Sequence, residues 1–303
     1  MYSFSTCWNS HRHTDGRAML REIRELGFEY AELSHGTRIS LLPGILAAVD
    51  AGEIKISSLH NFCPLPMGVN FAAPNLHQFS DERPRERELA LKYTFKTLEF
   101  ASRVRAPLVV LHSGSVEMKN YTDKLVELAA RGERETPRYQ ALCVEAEERR
   151  EAKKTPFFER LVEAFRRILP DAESRGIRLG VENRQALEEL PAESDFWVLF
   201  REFTSPNLAY WHDTGHAQIK ENLGFIRHTM HLDSLRDRLA GFHIHDVQFP
   251  ARDHCAPGTG MIDWAALKPM LRPEHIKVFE FSPSLSAAEV RSGVEHLQRI
   301  WGD

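Results

Sequence analysis

Short apolar runs alternate along this 303-residue chain with longer stretches of helical period, and the residue that closes each run repeats in kind. From the N-terminus, the runs end at Glu32 (FEYAELS), His60 (KISSLH), His112 (PLVVLH), Glu182 (RLGVE), Asp213 with His216 (LAYWHDTGH), His243 (AGFHIHD) and Glu280 (KVFEF). Only the first run, YSFSTCW, closes on no obvious ligand. Carboxylates and imidazoles belong in water unless something pairs with them. Their recurrence at one end of successive buried strands needs a common cause, and a parallel barrel with a metal ion at its C-terminal face supplies it.

The intervening segments carry helix punctuation. Asp15 caps a helix holding Leu20, Ile23 and Leu26 that stops at Gly27. Ser80 and Pro84 open a second, with Leu89, Tyr93, Leu98 and Ala101 on its apolar face. Thr155 and Pro156 begin a long helix through Leu161, Phe165 and Ile168, ended by Gly176. Later helices are expected over 192–203, 216–228, 264–271 and 286–301. Eight strands alternating with helices predict a parallel sheet, and eight βα units predict its closure into a (β/α)8 TIM barrel. The barrel is one domain over 1–303, with its active site at the C-terminal mouth. An open doubly wound sheet competes poorly, because no Gly-rich phosphate loop follows any strand.

Two connections are longer than a barrel needs. Residues 61–80, with Pro64, Pro66 and Pro74, read as a loop over the mouth. Residues 117–154, between strands 4 and 5, read as a charged helical insertion. Excess chain after a strand is where barrels build substrate lids; a solvated helical hairpin or an oligomer contact is the alternative for the second.

Composition narrows the function classes. A net charge of −4 without a Lys/Arg-rich run gives no footprint for nucleic acid or an anionic membrane surface. No apolar stretch approaches the ~20 residues of a membrane span, and MYSFSTCWNSHRH lacks the apolar core of a signal peptide. A soluble, cytoplasmic protein is expected. Cys7, Cys63, Cys143 and Cys255 show no CxxC spacing and read as reduced thiols, with Cys63 and Cys255 near the site.

Among the candidates, Glu182 and Glu280 weigh most. An unpaired Glu at the end of an apolar strand is rarely tolerated, and two in corresponding positions favour a cation between them. The Asp213-Thr-Gly-His216 spacing sets both side chains at a strand-to-helix turn, facing one ion or two adjacent ions. In His243-Ile-His245-Asp246, two-residue alternation points His243 and His245 the same way and leaves either as the ligand.

GVEN around Glu182, WHDTGH around Asp213, and HIHD followed by RDHCAPGTGMIDW resemble the xylose isomerase-like TIM-barrel superfamily, which holds sugar phosphate isomerases, epimerases and endonuclease IV. The resemblance covers essentially the whole chain. It implies a mononuclear site of Glu182, Asp213, His243 and Glu280 for Mn²⁺, Mg²⁺, Co²⁺ or Zn²⁺, a donor set that does not choose among them. Glu182 and Glu280 are implied as catalytic acid and base, and His216, His60, His112 and Glu188 as substrate-binding groups. The implied activity is sugar isomerisation or epimerisation, by removing a proton α to a carbonyl through a metal-stabilised enediolate. Its partner is a small sugar or keto-sugar, not nucleic acid, and a homo-oligomer is compatible with it.

The trinuclear zinc pattern of endonuclease IV would use His60, His112, Glu182, Asp213, His216, His243, His254 and Glu280, with His245 a further candidate. One Asp of that pattern, two residues before His254, is Arg252 here, with Asp253 beside it. A guanidinium cannot ligate metal; Arg252 and Arg184 suit a carboxylate or phosphate on the substrate instead. Two other activities share the donor set. One is dehydration or lysis of a keto-sugar or inosose. The other is phosphodiester hydrolysis at abasic DNA with two or three Zn²⁺. A degenerate barrel that only binds sugar or metal sits badly with four intact ligands. Trp8 and Phe62 are candidates for an apolar wall against a sugar ring.

Overall fold

The computed structural model describes residues 1–302, and among them eight parallel strands close into one barrel. In chain order they are β1 (Tyr2–Ser5), β2 (Tyr30–Leu33), β3 (Lys55–His60), β4 (Leu108–Leu111), β5 (Arg178–Glu182), β6 (Leu208–Asp213), β7 (Leu239–Ile244) and β8 (Ile276–Phe279). Each strand pairs with its sequence neighbour, and β8 returns to β1 with Val278 beside Ser3. The register sets the chemistry at one level: Glu182 lies beside Trp211 and Asp213 beside His243. Leu108, Val110, Ala209, Trp211, Ile276 and Val278 plug the barrel. Gly241 is required where Trp211 crosses this plug, since a Cβ there would lie 2.3 Å from the Ile276 carbonyl oxygen and 2.5 Å from the Trp211 ring.

The helices wrap the barrel. Helix α1 (Gly16–Glu25) begins as read, with the Asp15 carboxylate accepting from the amides of Arg17 and Ala18, and the chain leaves it through Gly27 at φ 101°. After α2 (Leu42–Asp50), Pro84 takes the first turn of α3 (Pro84–Arg103), but Ser80 is not its cap. Its hydroxyl bonds both the amide and the carbonyl of Ser115 and ties the preceding loop to the strand-4 connection.

The start read at Thr155-Pro156 is wrong. After α4 (Thr122–Ala130), helix α5 runs unbroken from Pro137 to Ser174, with Pro156 inside it. A proline in a helix interior costs about 3 kcal/mol. Tertiary burial offsets that cost, because Leu142, Ala146, Arg150, Phe157, Leu161 and Phe165 lie on one continuous buried stripe across the proline. Beyond α6 (Glu193–Glu202), the single helix expected over 216–228 is two, α7 (Thr214–Leu223) and α8 (His228–Ser234), divided at Gly224 with φ 92°. The expected 264–271 helix is α9 (Trp264–Leu267) followed by a 3₁₀ turn. Helix α10 (Ala287–Trp301) closes the chain behind a Ser286–Glu289 capping box.

Residues 117–154 hold α4 and the first part of α5, and they are packed against the rest of the chain and not a solvated hairpin. Tyr121, Leu125, Leu128, Tyr139 and Leu142 form a cluster of their own with Leu187, Ile219 and Val247, which come from the connections after β5, β6 and β7. The insertion therefore braces the loops around the barrel mouth. No helix among the described residues is long and apolar enough to cross a membrane.

Candidate metal centre and active site

Four consecutive strands each deliver one donor to a common point. Glu182 and Asp213 end β5 and β6, His243 lies one residue before the end of β7, and Glu280 follows β8 directly. One ligand atom from each lies within 4.8 Å of all the others, and none of the four residues is more than 4 % exposed. His243 Nδ1 is 2.7 Å from Glu182 Oε1, 3.2 Å from Glu280 Oε2 and 3.8 Å from Asp213 Oδ2. Three buried carboxylates around one imidazole concentrate negative charge at one point, and hard oxygens with one imidazole nitrogen suit a divalent ion.

Behind this set stands Glu32, fully buried at the end of β2. Its carboxylate accepts from Ser5 Oγ at 3.0 Å, from Ser58 Oγ at 2.8 Å and from His243 Nε2 at 3.0–3.1 Å. A carboxylate on the far nitrogen fixes both ring orientation and tautomer, and so turns His243 Nδ1 toward the other three donors. His245 Nδ1 accepts the His254 amide at 2.9 Å and its Nε2 donates to the Asp213 carboxylate at 3.1 Å, so neither nitrogen has a free lone pair. Burial works against a charged His245, but Asp213 pulls its pKa up to about 9. His245 is a positioning residue for Asp213.

The electrostatics of the set are mutual. Burial alone would raise the Glu182 carboxyl, yet His112 and His243 outweigh it and hold the group well below the ordinary carboxylate range. Burial likewise opposes the ionised form of Asp213, and His216 and His245 reverse it. Burial works against a charged His243, but Glu280, Glu32 and Glu182 draw its pKa well above the usual imidazole value. Nδ1 would have to give up that proton to act as a ligand, so uptake of a metal ion there would release protons.

Three further imidazoles ring the Glu182 side. His60 Nδ1 donates to the Asn61 carbonyl at 3.0 Å, His112 Nδ1 to Asn75 Oδ1 at 2.8 Å, and His216 Nδ1 to the Asn183 carbonyl at 2.9 Å. Each bond commits Nδ1 and leaves Nε2 as an acceptor. Asn75 comes from the 61–80 loop, which reaches the mouth as the sequence implied.

The profile of the xylose isomerase-like TIM-barrel family matches residues 20–300. The chain belongs to that family. Similar solved structures include a D-tagatose 3-epimerase-like protein, at 17% identity over 99% of this chain and 98% of that one, with a TM-score of 0.70. The 3-keto-D-glucoside 4-epimerase of E. coli aligns at 14% identity over 98% of each chain, with a TM-score of 0.69. A D-psicose 3-epimerase from Clostridium cellulolyticum aligns at 16% identity over 99% of each chain, with a TM-score of 0.65. At these identities the likeness establishes the fold. No curated protein matches the chain in sequence.

Within this family barrel, Glu182, Asp213, His243, Glu280, His60, His112 and His216 meet at the mouth, and His254 stands at the rim with Nε2 3.8 Å from Glu280 Oε2. Asp253 pairs with His254 Nδ1 at 3.2 Å. Arg252 and Glu188 lie elsewhere. Arg252 is exposed on a two-stranded ribbon, where its cross-strand partner Gln248 shares its face and bonds it at 3.4 Å. Glu188 accepts from the amides of Tyr121 and Thr122 and from the Thr122 hydroxyl, so it caps α4 and tethers the insertion. Trp8 and Phe62 are 2 % exposed. Both pack as core, and Trp8 lies under the Arg12 guanidinium. Burial pushes the Cys63 and Cys255 thiols up, so neither is an activated nucleophile.

Three groups escaped the sequence reading. Glu32 carries the same strand-end signal as the four donors, but nothing in its sequence context distinguishes a supporting carboxylate from a donor. His35 sets its ring edge-on to His60, with centroids 4.7 Å apart, and nothing in its SHGT context marks it. Asp246, the last residue of HIHD, accepts from the amides of Gly258, Gly260 and Ile262 and so folds the PGTG loop.

Proposed function

We propose that this chain is a divalent-metal-dependent epimerase or isomerase of a keto-sugar or sugar derivative, working on a small molecule in the cytoplasm. The observation that carries the reading is the convergence of Glu182 and Glu280 on His243 Nδ1 from strands three places apart in the ring, with Asp213 between them. Names of similar structures support the sugar class, since two of them are 3-epimerases, or like one, and a third is a 4-epimerase of a keto-glucoside.

A divalent ion held by Glu182, Asp213, His243 Nδ1 and Glu280 supplies Lewis-acid stabilisation of the negative charge that develops on neighbouring sugar oxygens. The residues of the chain move the proton. Glu280 accepts fewer hydrogen bonds than Glu182 and is the better placed to take the proton from the carbon beside the carbonyl. Glu182, on the opposite side of the mouth, delivers to the other face a proton that it takes up from solvent during the turnover, and Glu280 gives its own proton back to solvent, so that the protons balance. His216 presents Nε2 to a substrate hydroxyl, its Nδ1 being spent on Asn183. The buried floor of Trp211 and His243 keeps bulk water from below the reacting carbon.

The test is deuterium exchange. Keto-hexoses and keto-pentoses are incubated in D₂O with protein carrying one equivalent of Mn²⁺ and followed by NMR. Deuterium should enter beside the carbonyl as the epimer or isomer forms. Glu182→Gln and Glu280→Gln should each abolish exchange while circular dichroism stays unchanged, and exchange retained in either rejects the two-glutamate mechanism. Loss of water in place of an epimer would reassign the site to elimination, and cleavage of abasic duplex without any sugar exchange would move it to phosphodiester chemistry.

A further inference from the structure

On the far side of Glu182 from the proposed metal, a second set of acceptors points at one place. His60 Nε2 and His112 Nε2 lie 3.6 Å and 2.7 Å from Glu182 Oε2, and with each Nδ1 bonded elsewhere a neutral ring turns its Nε2 lone pair toward that oxygen. Two imidazole lone pairs turned on a carboxylate oxygen repel one another unless a cation or donor sits among them. The structure puts one there. Arg184 Nη1 is 3.1 Å from Glu182 Oε2 and 2.5 Å from His112 Nε2, and the residue is only 5 % exposed.

The guanidinium is also locked from behind. Its Nε donates to Glu189 Oε1 at 3.0 Å and its Nη2 pairs with the same oxygen at 3.0 Å, while Glu189 Oε2 accepts the Ala186 amide at 3.1 Å. Swinging Arg184 out would strip Glu189 and leave Glu182 Oε2 against an uncompensated lone pair. A guanidinium keeps its charge at every accessible pH, which a proton shared among these groups would not.

We infer that Arg184 is a built-in cation standing where a second metal ion would otherwise bind, so that the mouth takes one divalent ion although its donors could hold two. The inference rests on the reading of Glu182, Asp213, His243 and Glu280 as the first metal site. It also assigns Glu182 a divided role, with Oε1 for the metal and Oε2 for the fixed charge.

The experiment is metal stoichiometry, by equilibrium dialysis against Zn²⁺ followed by mass spectrometry, with circular dichroism to confirm folding. Wild type should hold one Zn²⁺ per chain, Arg184→Met two, and Arg184→Met combined with His112→Ala one again. A purely structural Arg184 would lose stability and gain no metal. Arg184→Met staying at one ion, or wild type holding two or more, overturns the inference while the first site stands. No ion in wild type overturns the reading of the first site itself. Should Arg184→Met fail to fold, Glu189→Gln decides: it frees the guanidinium from its anchor and should admit a second Zn²⁺ at excess metal, and one ion under those conditions overturns the inference.

Discussion

Replacing Glu32, first by glutamine and then by alanine, separates the two things its carboxylate does for His243. Glutamine keeps an acceptor for Nε2–H but loses the charge. A hydrogen bond to a charged partner contributes about 1.5–3 kcal/mol and a neutral one about 1, so roughly 1 kcal/mol of support for the ligand disappears. Mn²⁺ affinity should fall about 5- to 10-fold. Alanine removes the acceptor altogether. His243 is then free to move its proton to Nδ1, and three buried donors, Nε2–H with the hydroxyls of Ser5 and Ser58, lose their common partner. Affinity should fall about 100-fold, and each orphaned donor costs about 1–3 kcal/mol of stability. Competition against a fluorescent chelator measures the affinity, and thermal unfolding with and without Mn²⁺ measures the stability. Wild-type Mn²⁺ affinity in Glu32→Ala would refute the reasoning, because the barrel alone would then orient the ring.

Gly215→Ala tests the neighbouring ligand: an added Cβ would sit 1.9 Å from His245 Cε1, so the ring must leave Asp213, with an expected tenfold or so loss of metal affinity. Unchanged affinity by the same competition assay would mean that His245 does not position Asp213. Buried neutral histidines behind β6 set an acid limit. Burial lowers His228 to about 3 and His231 to about 4. Because these folded-state values lie below the unfolded value near 6.5, their stabilisation is complete above that pH and is lost as pH falls toward 4 and 3. Each should cost about 2 kcal/mol at pH 5, read from urea unfolding at several pH values, and a flat profile from pH 7 to 5 would contradict it. Arg252→Ala, on an exposed ribbon, should change stability and substrate KM by no more than about 0.5 kcal/mol. A large KM increase would show that the ribbon folds over bound substrate.

Legibility differed by element for physical reasons. The eight apolar runs and their closing residues predict the barrel because strand burial forces a two-residue period, and because an ionisable group there is tolerated only with a partner. The helix start placed at Thr155 failed because cap-and-proline chemistry is local. The stripe from Leu142 to Phe165 that carries α5 through Pro156 becomes decisive only when packed against the barrel. Arg252 was misplaced because motif spacing gives a position along the chain and not a face of a ribbon.

Sequence alone determined which strands end in ionisable groups able to act as donors, and therefore that four of these would share a mouth. Which histidine nitrogen is free, which carboxylate supports a ligand, and that Arg184 lies among the donors were decided by tertiary structure. Those outcomes depend on hydrogen bonds between residues as far apart as Glu32 and His243, and a tautomer is set by the partner that folding brings to the other nitrogen.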